Sequence, residues 1–220
     1  MSANTTADTT AVVVLIHGIW MNGWDMAVLR GRLRKSGFRT LQFSYPSIIR
    51  DLSANAQRLQ EFLNTLDDAP VHMVAHSLGG LLVRRLFCDF PEQKPGRIVT
   101  LGTPHKGSFV ARKMNQHFIG RLLFGRSLSY GLLGDAPPWT SDHEIGVIAG
   151  DRGWGVGRVV TRLPKPNDGS VVLEETPLAG MTDYKVMPFN HIGLMFSKAV
   201  AEQVVQFLLH GRFLHEEGRD

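Results

Sequence analysis

Residues 71–80 read Val-His-Met-Val-Ala-His-Ser-Leu-Gly-Gly, a short apolar strand that runs into a serine and then into the apolar, helix-forming run 81–88. A serine placed at such a junction, with Ala75 two positions before it and Gly79 two positions after it, has the build of a nucleophile elbow. Strand and helix pass close together at an elbow, so the flanking positions must be small. Ala75 stands where the consensus has glycine and keeps that volume low. The five-residue string alone recurs by chance. The buried strand before it and the apolar helix after it make it specific, and they lift the Ser77 hydroxyl clear of the backbone.

Outward from the elbow, strands and helices alternate. The unbroken apolar run 11–16, rich in β-branched residues, ends at His17-Gly18 and predicts a buried central strand. A helix is expected over 22–35, closed by Ser36-Gly37, and a strand over 40–45, stopped by Pro46. The segment 51–66 places Leu52, Ala56, Leu59, Leu63 and Leu66 on one helical face, with Asp51 or Ser53 as its cap. Then follow a helix to 90, strands at 97–101, 144–149 and 184–187, and a long terminal helix over 192–209. This alternation implies a mostly parallel sheet with right-handed crossovers and helices on both faces. Chemistry gathers at the carboxyl ends of such strands, where His17-Gly18, Ser77, Gly102-Thr103 and Asp151 fall.

Composition narrows the function classes. The chain has 220 residues, 43% hydrophobic and 20% charged, which suits one globular core and excludes a disordered or fibrous protein. We expect a tail over 1–10, one domain over 11–210 and a charged tail over 211–220. No apolar run approaches the length of about 18 residues that spans a bilayer. The first ten residues carry no basic segment of the secretory kind, so a cytoplasmic location is expected. Cys88, the single cysteine, excludes an internal disulfide and is expected to be packed. A net charge of +4 is modest, and no nucleic-acid motif accompanies it. The glycines of 153–157 lack the strand-turn-helix setting of a nucleotide loop and read as a turn.

A serine hydroxyl is a weak nucleophile at neutral pH and needs a base, which in turn needs an acid to fix its tautomer. His191, between the last strand and the terminal helix, is the best-placed base; His17, His72, His76, His210 and His215 are worse placed. The acid is less constrained. Asp168 lies in a polar turn 23 residues before His191, Asp151 ends a strand and is its rival, and Asp142 and Asp183 are weaker. An Asp-Gly pair is often no more than a turn. The oxyanion hole is expected from the backbone N–H groups of Leu78 and Ile19, each such donor contributing about 3 kcal/mol in the transition state.

Five blocks in order, 14–18, 75–80, 101–108, 167–171 and 190–193, resemble those of α/β-hydrolases of the bacterial lipase and esterase kind, and together they cover 14–209. The resemblance implies the α/β-hydrolase fold, with a small cap or lid insertion. It also implies a triad of Ser77, Asp168 and His191, with Ile19 and Leu78 at the oxyanion hole; the Asn167-Asp168-Gly169 match ranks Asp168 above Asp151. Calcium-binding relatives often carry a carboxylate just after the catalytic histidine, where this chain has Ile192-Gly193, so neither metal nor cofactor is expected.

The insertion 104–142 holds the apolar stripe Phe109, Val110, Met114, Phe118 and Leu122 and five basic residues over 106–126 with no acidic one. It reads either as a helix packed on the sheet or as a lid that covers an acyl chain or meets an anionic lipid surface. Trp20, Met21 and Trp24 are candidates for the substrate pocket. The resulting expectation is hydrolysis of small-molecule acyl esters by a carboxylesterase or small lipase, with a thioesterase or acyltransferase using the same residues as the alternative.

Overall fold

β1 (Val12–Ile16) is buried at all five positions, and the reason lies on both sides of it. Its side chains alternate, so Val12, Val14 and Ile16 enter one apolar cluster while Val13 and Leu15 enter a second. A strand covered on both faces has no solvent side for polar residues, which explains the unbroken apolar run. The structure, a computed structural model, describes residues 11–66, 70–94, 96–128, 131–153 and 162–215.

With β2 (Arg39–Phe43), β3 (Val71–His76), β4 (Ile98–Leu101), β5 (Ile145–Gly150) and β6 (Asp183–Met187), β1 forms a parallel sheet of order β2-β1-β3-β4-β5-β6. The chain steps from β1 out to β2, then crosses back to β3 on the opposite side of β1. That reversal opens a crevice at the carboxyl ends of β1 and β3, where open α/β sheets bind ligands. His17-Gly18 and Ser77 follow those two strands directly.

One face of the sheet is covered by α2 (Leu52–Asn64) and α3 (Leu78–Asp89), the other by α1 (Ala27–Lys35), α6 (Gly193–Phe196) and α7 (Lys198–His210). Of the two expected caps on α2, Asp51 serves, its side chain accepting from Ala54 N at 2.9 Å. In the insertion, α4 (Phe109–Asn115) and α5 (Phe118–Phe124) lie against each other, so close that a Cβ on Gly120 would strike the Met114 carbonyl. Arg84, buried on α3, holds the base of this insertion by donating to the carbonyls of His105, Ala136 and Pro137.

Several boundaries differ from expectation. The helix expected over 22–35 opens as a 3-10 turn, Trp24–Met26, after Gly23 at φ 96°. α3 begins at Leu78, immediately after the serine. The terminal helix is two helices: Ser197 adopts an extended ψ of 135° and its Oγ caps α7 by accepting from Val200 N at 3.3 Å. Cys88 is exposed, not packed, because it falls on the outer side of α3. The packed chain also runs past 210: Phe213 is buried against Phe207, ring centroids 4.9 Å apart, and its N–H donates to Asp183. The expected tail over 1–10, residues 216–220 and most of the 153–157 turn lie outside the described residues. Among the described residues no helix is long and apolar enough to cross a membrane.

Candidate active site

Ser77 has φ 53° and ψ −120°, and Trp20 (φ 59°) is the other described non-glycine residue at positive φ. Such a conformation costs on the order of 1–3 kcal/mol and persists only where its surroundings enforce it. Here Ser77 N donates to the Leu101 carbonyl at 2.9 Å, and Thr103 Oγ1 donates to the Ser77 carbonyl at 2.9 Å. The turn is tight because its glycines leave room for neighbours. A Cβ on Gly79 would lie 2.7 Å from the carbonyl oxygens of Ile16 and His17, and one on Gly80 would collide with Thr103. The serine therefore stands directly over the crevice between β1 and β3.

Asp168 and His191 come from different loops, after β5 and after β6, and meet. His191 Nδ1 donates to Asp168 Oδ2 at 2.6 Å, and His191 N donates to the Asp168 carbonyl at 2.8 Å. The carboxylate is fully buried, and its other oxygen accepts from Ser170 N (2.9 Å) and Val171 N (2.7 Å). In a neutral imidazole an acceptor on Nδ1 places the proton there and leaves Nε2 with a free lone pair. Gly102, at φ 57°, lies beneath the pair: a Cβ there would be 2.9 Å from His191 Nδ1 and 3.1 Å from Asp168 Oδ2. Asp151 is exposed and pairs with Arg152 at 3.8 Å, and no hydrogen bond joins it to His191 among the described residues. Asp142 is exposed too, and Asp183 is engaged with His215 and Phe213 N.

Two histidines beside the elbow have structural partners that sequence reasoning missed. His76 Nε2 donates to the His191 carbonyl at 3.1 Å, and the two rings lie 4.6 Å apart. Its Nδ1 is buried without a hydrogen-bond partner. Burial, and then the neighbouring His191, pushes the His76 pKa well below that of a free imidazole, so the ring is neutral. His17 Nε2 accepts from Tyr45 N at 3.2 Å, which puts its proton on Nδ1 for the Gly18 carbonyl at 2.8 Å. Burial lowers the His17 pKa as well, and its ring stacks on Tyr45 at 4.4 Å. These bonds occupy the Gly18 carbonyl, while Trp20 N donates to Ser47 Oγ at 3.2 Å. Among the described residues the N–H groups of Ile19 and Leu78 have no acceptor. The signal for His76 was its place inside the elbow; that for His17 was its place at the end of β1.

Ser77, Leu78, Ile19 and His191 all line one cavity of about 660 Å³. Its walls are mainly apolar: Val110, Met114, Leu123 and Phe124 from the insertion, with Ile192 beside the histidine. Trp20 and Met21 also line it, as expected. Trp24 does not. It is 79% exposed, because the turn it opens buries Met26 instead.

The sequence model of the alpha/beta hydrolase family matches residues 13–212. The chain belongs to that family. Among solved structures, this alpha/beta hydrolase is similar to a lipase of Bacillus licheniformis, BlEst2 in mature form, at 17% identity with 96% of each chain covered and a TM-score of 0.71. A metagenomic carboxyl esterase, MGS0156, is 15% identical over 84% of this chain and 66% of its own, with a TM-score of 0.65. The NocB thioesterase domain from the nocardicin cluster is 14% identical over 91% of this chain and 94% of its own, with a TM-score of 0.59. At these identities the likeness is one of fold. No curated protein sequence matches the chain.

Proposed function

We propose that this alpha/beta hydrolase cleaves carboxylic esters through an acyl-enzyme. The observation that carries the reading is the buried Asp168–His191 pair, 2.6 Å apart, opening onto the same apolar cavity as the strained Ser77. In this mechanism Ser77 Oγ attacks the ester carbonyl while His191 Nε2 takes its proton. The carbonyl oxygen, now negative, accepts from the free amides of Ile19 and Leu78, donors aimed at charge that develops only in the transition state. His191 returns its proton to the departing alcohol. Water then attacks the acyl-serine with His191 as base, releases the acid and restores the hydroxyl. Asp168 holds the ring, with Ser170 N and Val171 N satisfying its second oxygen. An apolar wall favours an acyl chain over a charged or peptidic group.

The test is hydrolysis of p-nitrophenyl esters from acetate to palmitate, with a fluorophosphonate probe reporting the nucleophile. Turnover and labelling, both lost in Ser77→Ala, are expected. A wild-type protein that is neither labelled nor active on any chain length overturns the reading. Acyl thioesters cleaved much faster than the matched oxygen esters would move it to a thioesterase.

A further inference from the structure

We infer that the mouth of the cavity is a docking surface for an anionic lipid bilayer. A helix at a protein surface normally turns its apolar side inward. α5 does the reverse: it buries Gly120 and Phe124 and leaves Phe118 (74%), Ile119 (68%) and Leu122 (70%) exposed. Next to them is Trp20, half exposed, whose Nε1–H donates to the Leu123 carbonyl at 3.0 Å and whose ring meets Phe124 edge-on at 5.2 Å. Ile49 is 76% exposed on the adjoining turn, which joins the insertion where Arg126 N donates to the Ile48 carbonyl at 2.9 Å. Three separate segments therefore expose large apolar side chains around one opening, and Trp20 and Leu123 themselves line the cavity. A contiguous apolar surface of this kind marks an interaction site.

Charge decides the occupant. Arg50, Arg121 and Arg126 are exposed beside these residues, and 106–126 contains no aspartate or glutamate. Among the described residues no carboxylate pairs with any of the three. An apolar patch fringed by guanidinium groups with no carboxylate partner matches a bilayer with anionic headgroups: the side chains enter the acyl boundary while the cations remain at headgroup level. Docked in this way, the cavity opens into the lipid and receives its substrate there. That the ester comes from the bilayer rests on the esterase reading; the binding does not.

The experiment uses Ser77→Ala protein, so that vesicle composition stays constant and binding is read without catalysis. Sedimentation with phosphatidylglycerol vesicles is compared with phosphatidylcholine vesicles, and tryptophan emission is followed in parallel. We expect at least tenfold tighter binding to the anionic vesicles, with a blue shift as Trp20 leaves water. Adding Phe118→Ser with Leu122→Ser should weaken partitioning at least tenfold while the thermal midpoint holds. Adding Arg121→Gln with Arg126→Gln should remove the preference for phosphatidylglycerol. The inference is overturned by absence of binding, or by binding that the serine substitutions leave intact. It is overturned equally by a dimer in solution that those serines dissolve, since a second copy would then cover the patch.

Discussion

His76 holds the backbone of His191: its Nε2–H reaches the His191 carbonyl at 3.1 Å, with the two rings 4.6 Å apart. The residue before the candidate nucleophile thus fixes the loop that carries the candidate base. His76→Leu keeps bulk and removes the donor. We expect kcat to fall about tenfold, the equivalent of one net hydrogen bond, with KM within about twofold. His76→Gln, which keeps an N–H, should recover most of that loss. Steady-state kinetics on one ester measure it, and equal losses in both variants would leave the ring a packing role only.

Asp168→Asn replaces the carboxyl group that meets His191 Nδ1 while keeping the shape. In a triad this costs about 10⁴ in kcat. Asp151→Asn, on an exposed residue paired with Arg152, should stay within about twofold of wild type. The reverse ranking would reassign the acid.

Two glycine-to-alanine substitutions should act in opposite directions. At Gly102 the added methyl meets the His191 and Asp168 side chains at 2.9 and 3.1 Å on a backbone at φ 57°. Activity should drop by more than tenfold, with a lower melting temperature. At Gly31, inside α1, a methyl meets nothing within 4 Å. There alanine should add about 0.5–1 kcal/mol of stability by its helix preference and leave activity unchanged. Thermal denaturation with parallel esterase assays separates the two.

Stability should fall on mild acidification. Burial holds His72 at a pKa of about 4 and His105 at about 3, and it lowers His17 and His76 as well. A ring whose folded pKa lies below its unfolded value of about 6.5 favours the native state above that pH. Below it the unfolded chain takes up the proton first. Each ring then removes up to about 1.4 kcal/mol per pH unit until its folded pKa is reached. Urea unfolding at pH 7, 6 and 5 should show a steep loss, and His72→Asn should flatten the slope by up to one ring's share. A flat profile between pH 7 and 5 would contradict the buried neutral rings.

Much of this was legible in the residues because it is periodic or local. β1 and β3 read as buried strands since both of their faces meet apolar clusters, and Ser77 was marked by its small neighbours. The meeting of Asp168 with His191 was expected from block order, and the structure brings them to 2.6 Å. Less legible were features set by backbone torsion or by which side of a helix faces out. Ser197 has ordinary helical neighbours, so the break before α7 shows only in its ψ. Trp24 and Cys88 are apolar residues that the packing leaves outside. The stripe Phe109, Val110, Met114, Phe118 and Leu122 reads as one face, but the chain turns between α4 and α5, so Val110 and Met114 line the cavity while Phe118 and Leu122 meet solvent.

The crossing order of the sheet has a consequence for synthesis. Ser77 follows the third strand, whereas Asp168 and His191 follow the fifth and sixth. A ribosome-bound chain that has folded only its first half would hold the hydroxyl in its tight turn with nothing to draw off the proton. Under the proposed mechanism hydrolysis would therefore begin only once the loops after the fifth and sixth strands are in place, and activity would become a readout of completed folding.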